Sequence, residues 1–163
     1  MSEIFSGGCQ CGAVRFQAAH LGRQSICHCR MCQKAFGGFF GAFVSADQAH
    51  LTWTRGQPSL FRSSKKVLRG FCPKCGTSLT YHHPGGVELA IGAFDHPECF
   101  EPQVQVNHDK RLPWIDHLFE KPAVTSPEME AFFASVDSFQ HPDHDTKIWP
   151  PEDDTSEDTH DEQ

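Results

Sequence analysis

Short runs of apolar, aromatic and β-branched residues alternate with polar positions through residues 4–107, and glycine, proline or aspartate separates the runs. Runs of this length and composition are typical of β-strands in an antiparallel sheet. The fold class is therefore predicted to be mainly β, with short helices. The predicted strands span residues 4–9, 13–19, 24–27, 39–44, 50–55, 59–62, 67–71, 77–81, 87–91 and 103–107.

Two segments have a helical pattern instead. Arg30 to Phe36 predicts a short helix that ends at Gly37-Gly38, because glycine readily adopts the left-handed conformation that closes a helix. Residues 128–139 follow Ser126-Pro127 and predict an amphipathic helix. Its apolar face would be formed by Met129, Phe132, Phe133 and Val136.

Charge divides the chain into two parts. Residues 1–140 hold twelve acidic and thirteen basic residues, whereas residues 141–163 hold nine acidic residues and one lysine. We predict one folded domain over residues 1–140 and an acidic, mostly disordered tail over residues 141–163, because the tail has too few apolar residues to offset the entropy of ordering. Ile148 and Trp149 are the residues that could dock on the body.

The N-terminal segment Met1 to Gly8 has no basic stretch, apolar run or cleavage signature, so we expect a cytoplasmic protein. No stretch approaches the roughly 18 apolar residues of a membrane span, and no membrane partner is predicted. Eight cysteines in a reducing compartment indicate metal ligands in preference to disulfides.

Three cysteines, Cys27, Cys29 and Cys32, lie within six residues. On an extended backbone Cys27 and Cys29 point to one face, and Cys32 follows Cys29 at the spacing of one helical turn. His28 would face away from their ion. Three sulfur ligands leave one position of a tetrahedral zinc open unless Cys99 or a histidine closes it.

Cys72 and Cys75 form a Cys-Pro-Lys-Cys-Gly knuckle between two predicted strands, which is typical of a zinc site. Such a pair needs two more ligands, and Cys9 with Cys11 supplies them from a hairpin turn. The spacing therefore predicts a closed structural site of four cysteines.

Several other polar residues have two interpretations. His82 and His83 could act as ligand or proton carrier, but solvated side chains are the more common outcome. The bases Arg62, Lys65, Lys66, Arg69 and Lys74 could mark a nucleic-acid surface. We interpret them as a solvated strand face, because the body is near neutral and the tail would repel phosphate, and we predict no nucleic-acid partner.

Four segments of the chain carry a recognisable pattern. The first two contain Gly7-Gly8-Cys9-Gln10-Cys11-Gly12 and Cys27-His28-Cys29-Arg30-Met31-Cys32, and the last two contain Phe71-Cys72-Pro73-Lys74-Cys75-Gly76 and Gly92-Ala93-Phe94-Asp95. Together they resemble the glutathione-dependent formaldehyde-activating enzyme family, which also includes centromere protein V. The resemblance spans roughly residues 6–120.

The resemblance implies a Mss4-like zinc-binding β fold and two zinc ions per chain. A structural zinc would be held by Cys9, Cys11, Cys72 and Cys75, and a catalytic-type zinc by Cys27, Cys29 and Cys32. It also implies a carbon-sulfur lyase that forms or cleaves S-(hydroxymethyl)glutathione, with a thiol such as glutathione and an aldehyde as partners.

The predicted mechanism uses the open position of the three-cysteine zinc to bind a substrate thiol as thiolate. Arg30 and Lys34 are candidates to offset the charge of the site or to receive a substrate carboxylate, and Asp95 is a candidate general acid. The alternative is a non-enzymatic, zinc-stabilised protein-interaction module.

Overall fold

The computed structural model describes residues 3–150, and ten β-strands carry most of the regular structure in this range. The mainly β fold class is confirmed. The strands are β1 (Ile4–Gly8), β2 (Arg15–Ala19), β3 (Gln24–Cys27), β4 (Gly41–Ala46), β5 (Leu51–Arg55), β6 (Ser59–Ser64), β7 (Val67–Phe71), β8 (Ser78–His83), β9 (Gly86–Ala90) and β10 (Val104–Val106). The helices are α1 (Arg30–Phe36) and α2 (Pro127–Ala134), with short 3₁₀ helices at Gln48–His50, Ile91–Ala93, Pro97–Cys99, His108–Lys110 and Ile115–Glu120.

The strands form two sheets, where the sequence pattern had indicated one antiparallel sheet. The smaller sheet has the order β1-β2-β5, and the larger has the order β10-β3-β4-β9-β8-β7-β6. All pairs are antiparallel except β10 with β3. Strand alternation shows which side chains share a face but not which strand is the neighbour, so β5 could not be assigned to the smaller sheet from sequence.

Residues from both sheets share one apolar core. Phe16 of β2 is fully buried, and its ring contacts Trp53 of β5 and Phe94, which follows the 3₁₀ helix after β9. Leu79 of β8 and Leu89 of β9 are equally buried in the same cluster. This shared core fixes the β1–β2 hairpin against the larger sheet.

Gly7 allows the segment after β9 to cross β1 at close range. A side chain at this position would place its Cβ 2.4 Å from the carbonyl oxygen of Ala93. Gly7 also forms an isolated bridge with Phe94, and the amide of Asp95 donates to the carbonyl oxygen of Ser6. The close approach therefore requires glycine.

The first ten residues of the predicted tail lie against the body, which differs from the disorder we expected for them. His141 is buried, its amide donates to the carbonyl oxygen of Gln10, and Trp149 Nε1 donates to the carbonyl oxygen of Cys11 at 3.0 Å. The two aromatic rings cover Gly12, where an added Cβ would meet both. The remainder of the predicted tail, residues 151–163, lies outside the described residues.

Two arginines of the body fix this segment by charge and hydrogen bonds. Arg15 Nη2 lies 2.7 Å from Asp145 Oδ1, and Arg55 donates to the carbonyl oxygen of Thr146. These arginines belong to β2 and β5 of the smaller sheet. An acidic tail thus contains at least one carboxylate with a specific partner, which its composition does not indicate.

Helix α2 begins one residue before the predicted start, at Pro127, and ends five residues before the predicted end, at Ala134. Ser126 Oγ caps it by accepting from the amide of Met129. Phe132 and Phe133 are 63% and 65% exposed, so the predicted apolar face does not face the core. No helix within residues 3–150 is long and apolar enough to cross a membrane.

Candidate metal centres

Two groups of cysteines converge within residues 3–150, and they are the groups that the spacing predicted. One comprises Cys9, Cys11, Cys72 and Cys75, and the other comprises Cys27, Cys29 and Cys32. Within each group the sulfur atoms lie within 4.8 Å of one another. Thiolates bound to a tetrahedral zinc at about 2.3 Å are separated by about 3.8 Å, so both groups fit such an ion.

The four-cysteine group joins two turns that are far apart in the chain. Cys9 and Cys11 lie in the β1–β2 turn, and Cys72 and Cys75 lie in the β7–β8 turn. Their sulfurs already approach tetrahedral spacing, with 3.6 Å between Cys9 and Cys11 and 3.8 Å between Cys11 and Cys72. The group therefore links the smaller sheet to the larger one.

The two turns have the same local construction. The amide of the first cysteine donates to a carbonyl oxygen across each turn, from Cys9 to Val14 and from Cys72 to Thr77, both at 2.9 Å. A glycine follows the second cysteine with a left-handed backbone, at φ 71° for Gly12 and 77° for Gly76. Glycine adopts this conformation without the Cβ clash of other residues, so each turn can bring both sulfurs to one side.

The four thiols differ in acidity. Burial raises the pKa of Cys9 to about 12, and burial also raises the pKa of Cys11. Burial acts in the same direction on Cys75, but hydrogen bonds from the hydroxyl and amide of Thr77 lower its pKa to about 6. Metal binding requires deprotonated thiols, so an ion here would displace protons from the buried cysteines.

The three-cysteine group is formed at the start of α1. Cys27 ends β3, Cys29 is the N-cap of α1, and Cys32 lies in its first turn. Cys29 Sγ accepts from the amide of Cys32 at 3.4 Å, so the helix start itself holds two of the sulfurs together. Cys27 and Cys32 are buried, and Cys29 is partly exposed.

Two distant side chains donate to the other sulfurs. Asn107 Nδ2 donates to Cys27 Sγ at 3.3 Å, and Arg69 Nη2 donates to Cys32 Sγ at 3.4 Å. A hydrogen bond from the Cys32 thiol lowers the pKa of Cys27 to about 5, and Asn107 acts in the same direction. The same thiol–thiol bond, together with burial, raises the pKa of Cys32.

Arg69 is buried, which contradicts the expectation that it belongs to a solvated strand face. It lies on β7 opposite Tyr81 of β8, and its guanidinium carbon is 4.8 Å from the centroid of the Tyr81 ring. Its Nε donates to Ser63 Oγ at 3.3 Å. Sequence reasoning missed this contact because Arg69 and Cys32 are 37 positions apart. The one sequence feature that involved Arg69 was the cluster of basic residues near the Cys72–Cys75 knuckle. That cluster indicated a solvated surface and not a contact with a cysteine.

Asn107 was also missed as a neighbour of the cysteines. Its backbone is left-handed, with φ 53°. Asparagine tolerates this conformation better than most residues, but it remains uncommon outside glycine. It lies just after β10, whose parallel pairing with β3 brings Val106 opposite Cys27. The sequence had identified a strand at this position and gave no indication of its parallel partner.

The remaining candidates lie outside both cysteine groups. His28 is buried, its Nε2 is 2.9 Å from Gln105 Oε1, and its Nδ1 has no hydrogen-bond partner among residues 3–150. Cys99 is exposed on the 3₁₀ helix Pro97–Cys99 and joins neither group of the described residues. His82 Nε2 pairs with Thr80 Oγ1 at 2.8 Å, and His83 Nε2 lies 3.7 Å from Glu88.

Asp95 forms a buried ion pair and is not placed as a proton donor at the cysteines. Both of its oxygens accept from Arg15, at 2.7 and 2.6 Å, and Ser6 Oγ donates to Oδ2. Burial raises the pKa of Asp95, but hydrogen bonds from Arg15 and Ser6 outweigh it and hold the pKa below its ordinary value. Asp95 therefore stays ionised, and the prediction of a general acid at this position is not supported by its contacts.

Two clefts lie beside the C-terminal half of α1. The larger has a volume of about 680 Å³ and includes Phe36, Phe39, Cys75 and Leu118 in its lining. The smaller, of about 300 Å³, is lined by Arg69 together with Phe36, Phe61 and Phe71, among others. Cys27, Cys29 and Cys32 line neither cleft, but Arg69 connects the smaller one to Cys32 through a single side chain.

Comparisons with family models and with solved structures both gave matches. Residues 4–110 match the family model of the glutathione-dependent formaldehyde-activating enzyme. The crystal structure of a Rhodobacter sphaeroides protein is similar in fold, with a TM-score of 0.51 and 18% sequence identity. The similar region covers 62% of this chain and 99% of that one. No curated protein matches.

Proposed function

The chain belongs to the glutathione-dependent formaldehyde-activating enzyme family, and from this premise we propose that it is a zinc-dependent carbon-sulfur lyase. Its substrates would be a small thiol such as glutathione and an aldehyde. The reaction forms or cleaves the bond between the thiol sulfur and the aldehyde carbon.

The observation that carries this proposal is the difference between the two cysteine groups. Four sulfurs complete a tetrahedral zinc site, whereas three leave one position for water or substrate. Within residues 3–150, no other histidine, cysteine, aspartate or glutamate side chain joins the group of Cys27, Cys29 and Cys32. We assign Cys9, Cys11, Cys72 and Cys75 to a structural zinc and the group of three to a catalytic-type zinc.

When bound at the three cysteines, zinc makes a substrate thiol available as thiolate at neutral pH. The thiolate adds to the aldehyde carbon, a carbon-sulfur bond forms, and the carbonyl π electrons move to oxygen, which takes up a proton equivalent to the one that the thiol lost. The product is the S-(1-hydroxyalkyl) adduct, and the reverse reaction releases thiol and aldehyde. Cys29 is the partly exposed member of the group.

A cobalt substitution tests the open position directly. In the cobalt-loaded protein, glutathione should intensify the thiolate-to-metal absorption, because sulfur replaces oxygen at the three-cysteine site. The four-cysteine site should not respond, since its coordination is complete. Cys99→Ala is a matched control that should leave the response unchanged, because Cys99 belongs to neither group.

If no added thiol changed the absorption spectrum of the cobalt-loaded protein, the result would favour the alternative, a zinc-stabilised protein-interaction module. One observation supports that candidate: large aromatic side chains stand exposed beyond the family match, with Phe119 94% exposed and Phe132 and Phe133 more than half exposed. Exposed apolar surface of this kind is common at protein interfaces. Formation of the adduct from glutathione and formaldehyde, followed by NMR, separates the two functions.

A further inference from the structure

The negative charge of the three-cysteine site requires a nearby positive charge, and Arg69 is placed to supply it. Zinc with three thiolates has a net charge of −1, and a substrate thiolate would raise it to −2. Placing uncompensated charge in a partly buried site is unfavourable unless a counter-charge lies nearby. Arg69 is buried, and its Nη2 donates to Cys32 Sγ at 3.4 Å.

The guanidinium is held firmly in this position. Ser63 Oγ accepts from Nε, and the guanidinium stacks on the ring of Tyr81, which lies directly opposite on β8. The guanidinium of arginine is a planar cation with a rigid fork of N–H donors. Arg69 therefore acts as a fixed cation behind one sulfur of the group.

The two cationic residues nearest in sequence do not take this role. Arg30 is exposed and directs Nη1 to Gln33 Oε1 at 3.2 Å, and Lys34 is exposed on the outer face of α1. The sequence had named these two as the candidates to offset charge. The structure gives the contact to Arg69, which lies on β7.

The four-cysteine group has no equivalent cation. Its sulfurs accept hydrogen bonds from the amides of Val14 and Lys74 and pair with the hydroxyl of Thr77, all of which are neutral. Within residues 3–150, no arginine or lysine side chain donates to these four sulfurs. The difference matches the requirement, because only an open site has to accept a further negative ligand.

We propose that Arg69 is a positioning residue that compensates the charge of the three-cysteine site, so that a substrate thiolate can join it. The inference rests on the proposed function.

Thiol binding to cobalt-loaded variants tests the effect of the positive charge at position 69 separately from the effect of the shape of the side chain. Arg69→Gln keeps a hydrogen-bond donor and removes the charge, and should weaken glutathione binding about tenfold or more, which corresponds to about 1.4 kcal/mol. Arg69→Lys keeps the charge and should stay within about threefold of the wild type. Arg62→Gln is the matched control, since Arg62 is exposed on the neighbouring strand β6.

A neutral ligand distinguishes charge compensation from a merely structural role. Imidazole binding at the open position should be nearly unchanged in Arg69→Gln, whereas a distorted site would lose both ligands. Equal glutathione affinity in Arg69→Gln and wild type would overturn the inference and leave the proposed function standing. A wild-type protein that binds no thiol would instead overturn the proposed function. If Arg69→Gln does not fold, Arg69→Lys decides, because loss of its thiol affinity contradicts a role through charge.

Discussion

Each sulfur of the three-cysteine group accepts a hydrogen bond from an N–H group, and these donors come from different parts of the chain. The amide of Cys32 serves Cys29, Asn107 serves Cys27, and Arg69 serves Cys32. Donors of this kind orient metal ligands and tune their basicity. The chemistry of the site therefore depends on residues that are not ligands.

A second buried arginine, Arg15, has a purely structural partner. It forms a two-pronged ion pair with Asp95 beneath the β1–β2 hairpin, and both side chains are 4% exposed. Removing one partner of such a pair leaves the other charged and desolvated, at a cost of about 3 kcal/mol. Because the pair requires an ionised carboxylate, its contribution to the free energy of unfolding should depend on pH.

Asp95→Asn should lower the free energy of unfolding at pH 7 by about 3 kcal/mol. The pKa of Asp95 is held below 3.8 in the folded protein, so its contribution is fully present above that pH and is lost as the pH falls through the lower folded value. The difference in free energy of unfolding between wild type and Asp95→Asn should therefore become smaller below about pH 4. Denaturant unfolding of both proteins across pH 2–7 measures it.

Asp145→Asn is the matched control, because this carboxylate contacts the same arginine but its side chain is 42% exposed. We expect its loss to cost less than about 1 kcal/mol. If the difference in free energy of unfolding between wild type and Asp95→Asn did not change with pH, the ionised Asp95 carboxylate would not be the group that stabilises the fold.

Among the elements, the segment at residues 141–150 departs furthest from its sequence pattern. It lies over the turn that carries Cys9 and Cys11, with the rings of His141 and Trp149 in contact at 5.0 Å between centroids. Its position next to a candidate metal ligand gives it a role in holding that turn. The sequence pattern had predicted a disordered tail, and removal of such a tail after Gln140 would leave stability unchanged.

Truncation after Gln140 should instead lower the melting temperature by several degrees. It removes a buried histidine, a half-buried tryptophan and the hydrogen bonds to Arg15 and Arg55. A loss of about 2 kcal/mol shifts the melting temperature of a domain of this size by roughly 4–8 °C. Differential scanning calorimetry with zinc present measures the change.

Truncation after Pro150 is the control, since residues 151–163 contain no large apolar side chain. Trp149→Ala should reproduce a large part of the loss seen after Gln140. Identical melting temperatures for all of these proteins would show that the docked segment contributes nothing to stability.

At the scale of the whole molecule, the two cysteine groups have different mechanical roles. The four-cysteine group joins turns that are more than 60 positions apart, with Cys11 and Cys72 in contact. The three-cysteine group lies within one strand-to-helix connection. A long-range link constrains the fold, whereas a local one leaves the rest of the chain unaffected.

Metal removal should therefore occur in two stages. The purified protein should hold about two zinc ions, and a mild chelator should remove the ion of the open site first, because that site has fewer protein ligands. Circular dichroism should stay native until the second ion leaves. Elemental analysis alongside the spectra follows both stages.

Single substitutions separate the two stages. Cys29→Ser should give a folded protein with one zinc ion less, whereas Cys72→Ser should unfold or aggregate, since Cys72 is fully buried in the core. Equal loss of structure in both variants would contradict the division into a structural and an open site.

The sequence by itself determined the strands, the start of α1 and both cysteine groups, because each depends on alternation or spacing over a few residues. Only the tertiary structure decided which distant residues meet. Arg69 reaches Cys32 across 37 positions, Asn107 reaches Cys27 across 80, and Trp149 reaches Cys11 across 138. A local pattern shows which way a side chain points, but the partner depends on strand order, and strand order is set by burial of the whole core.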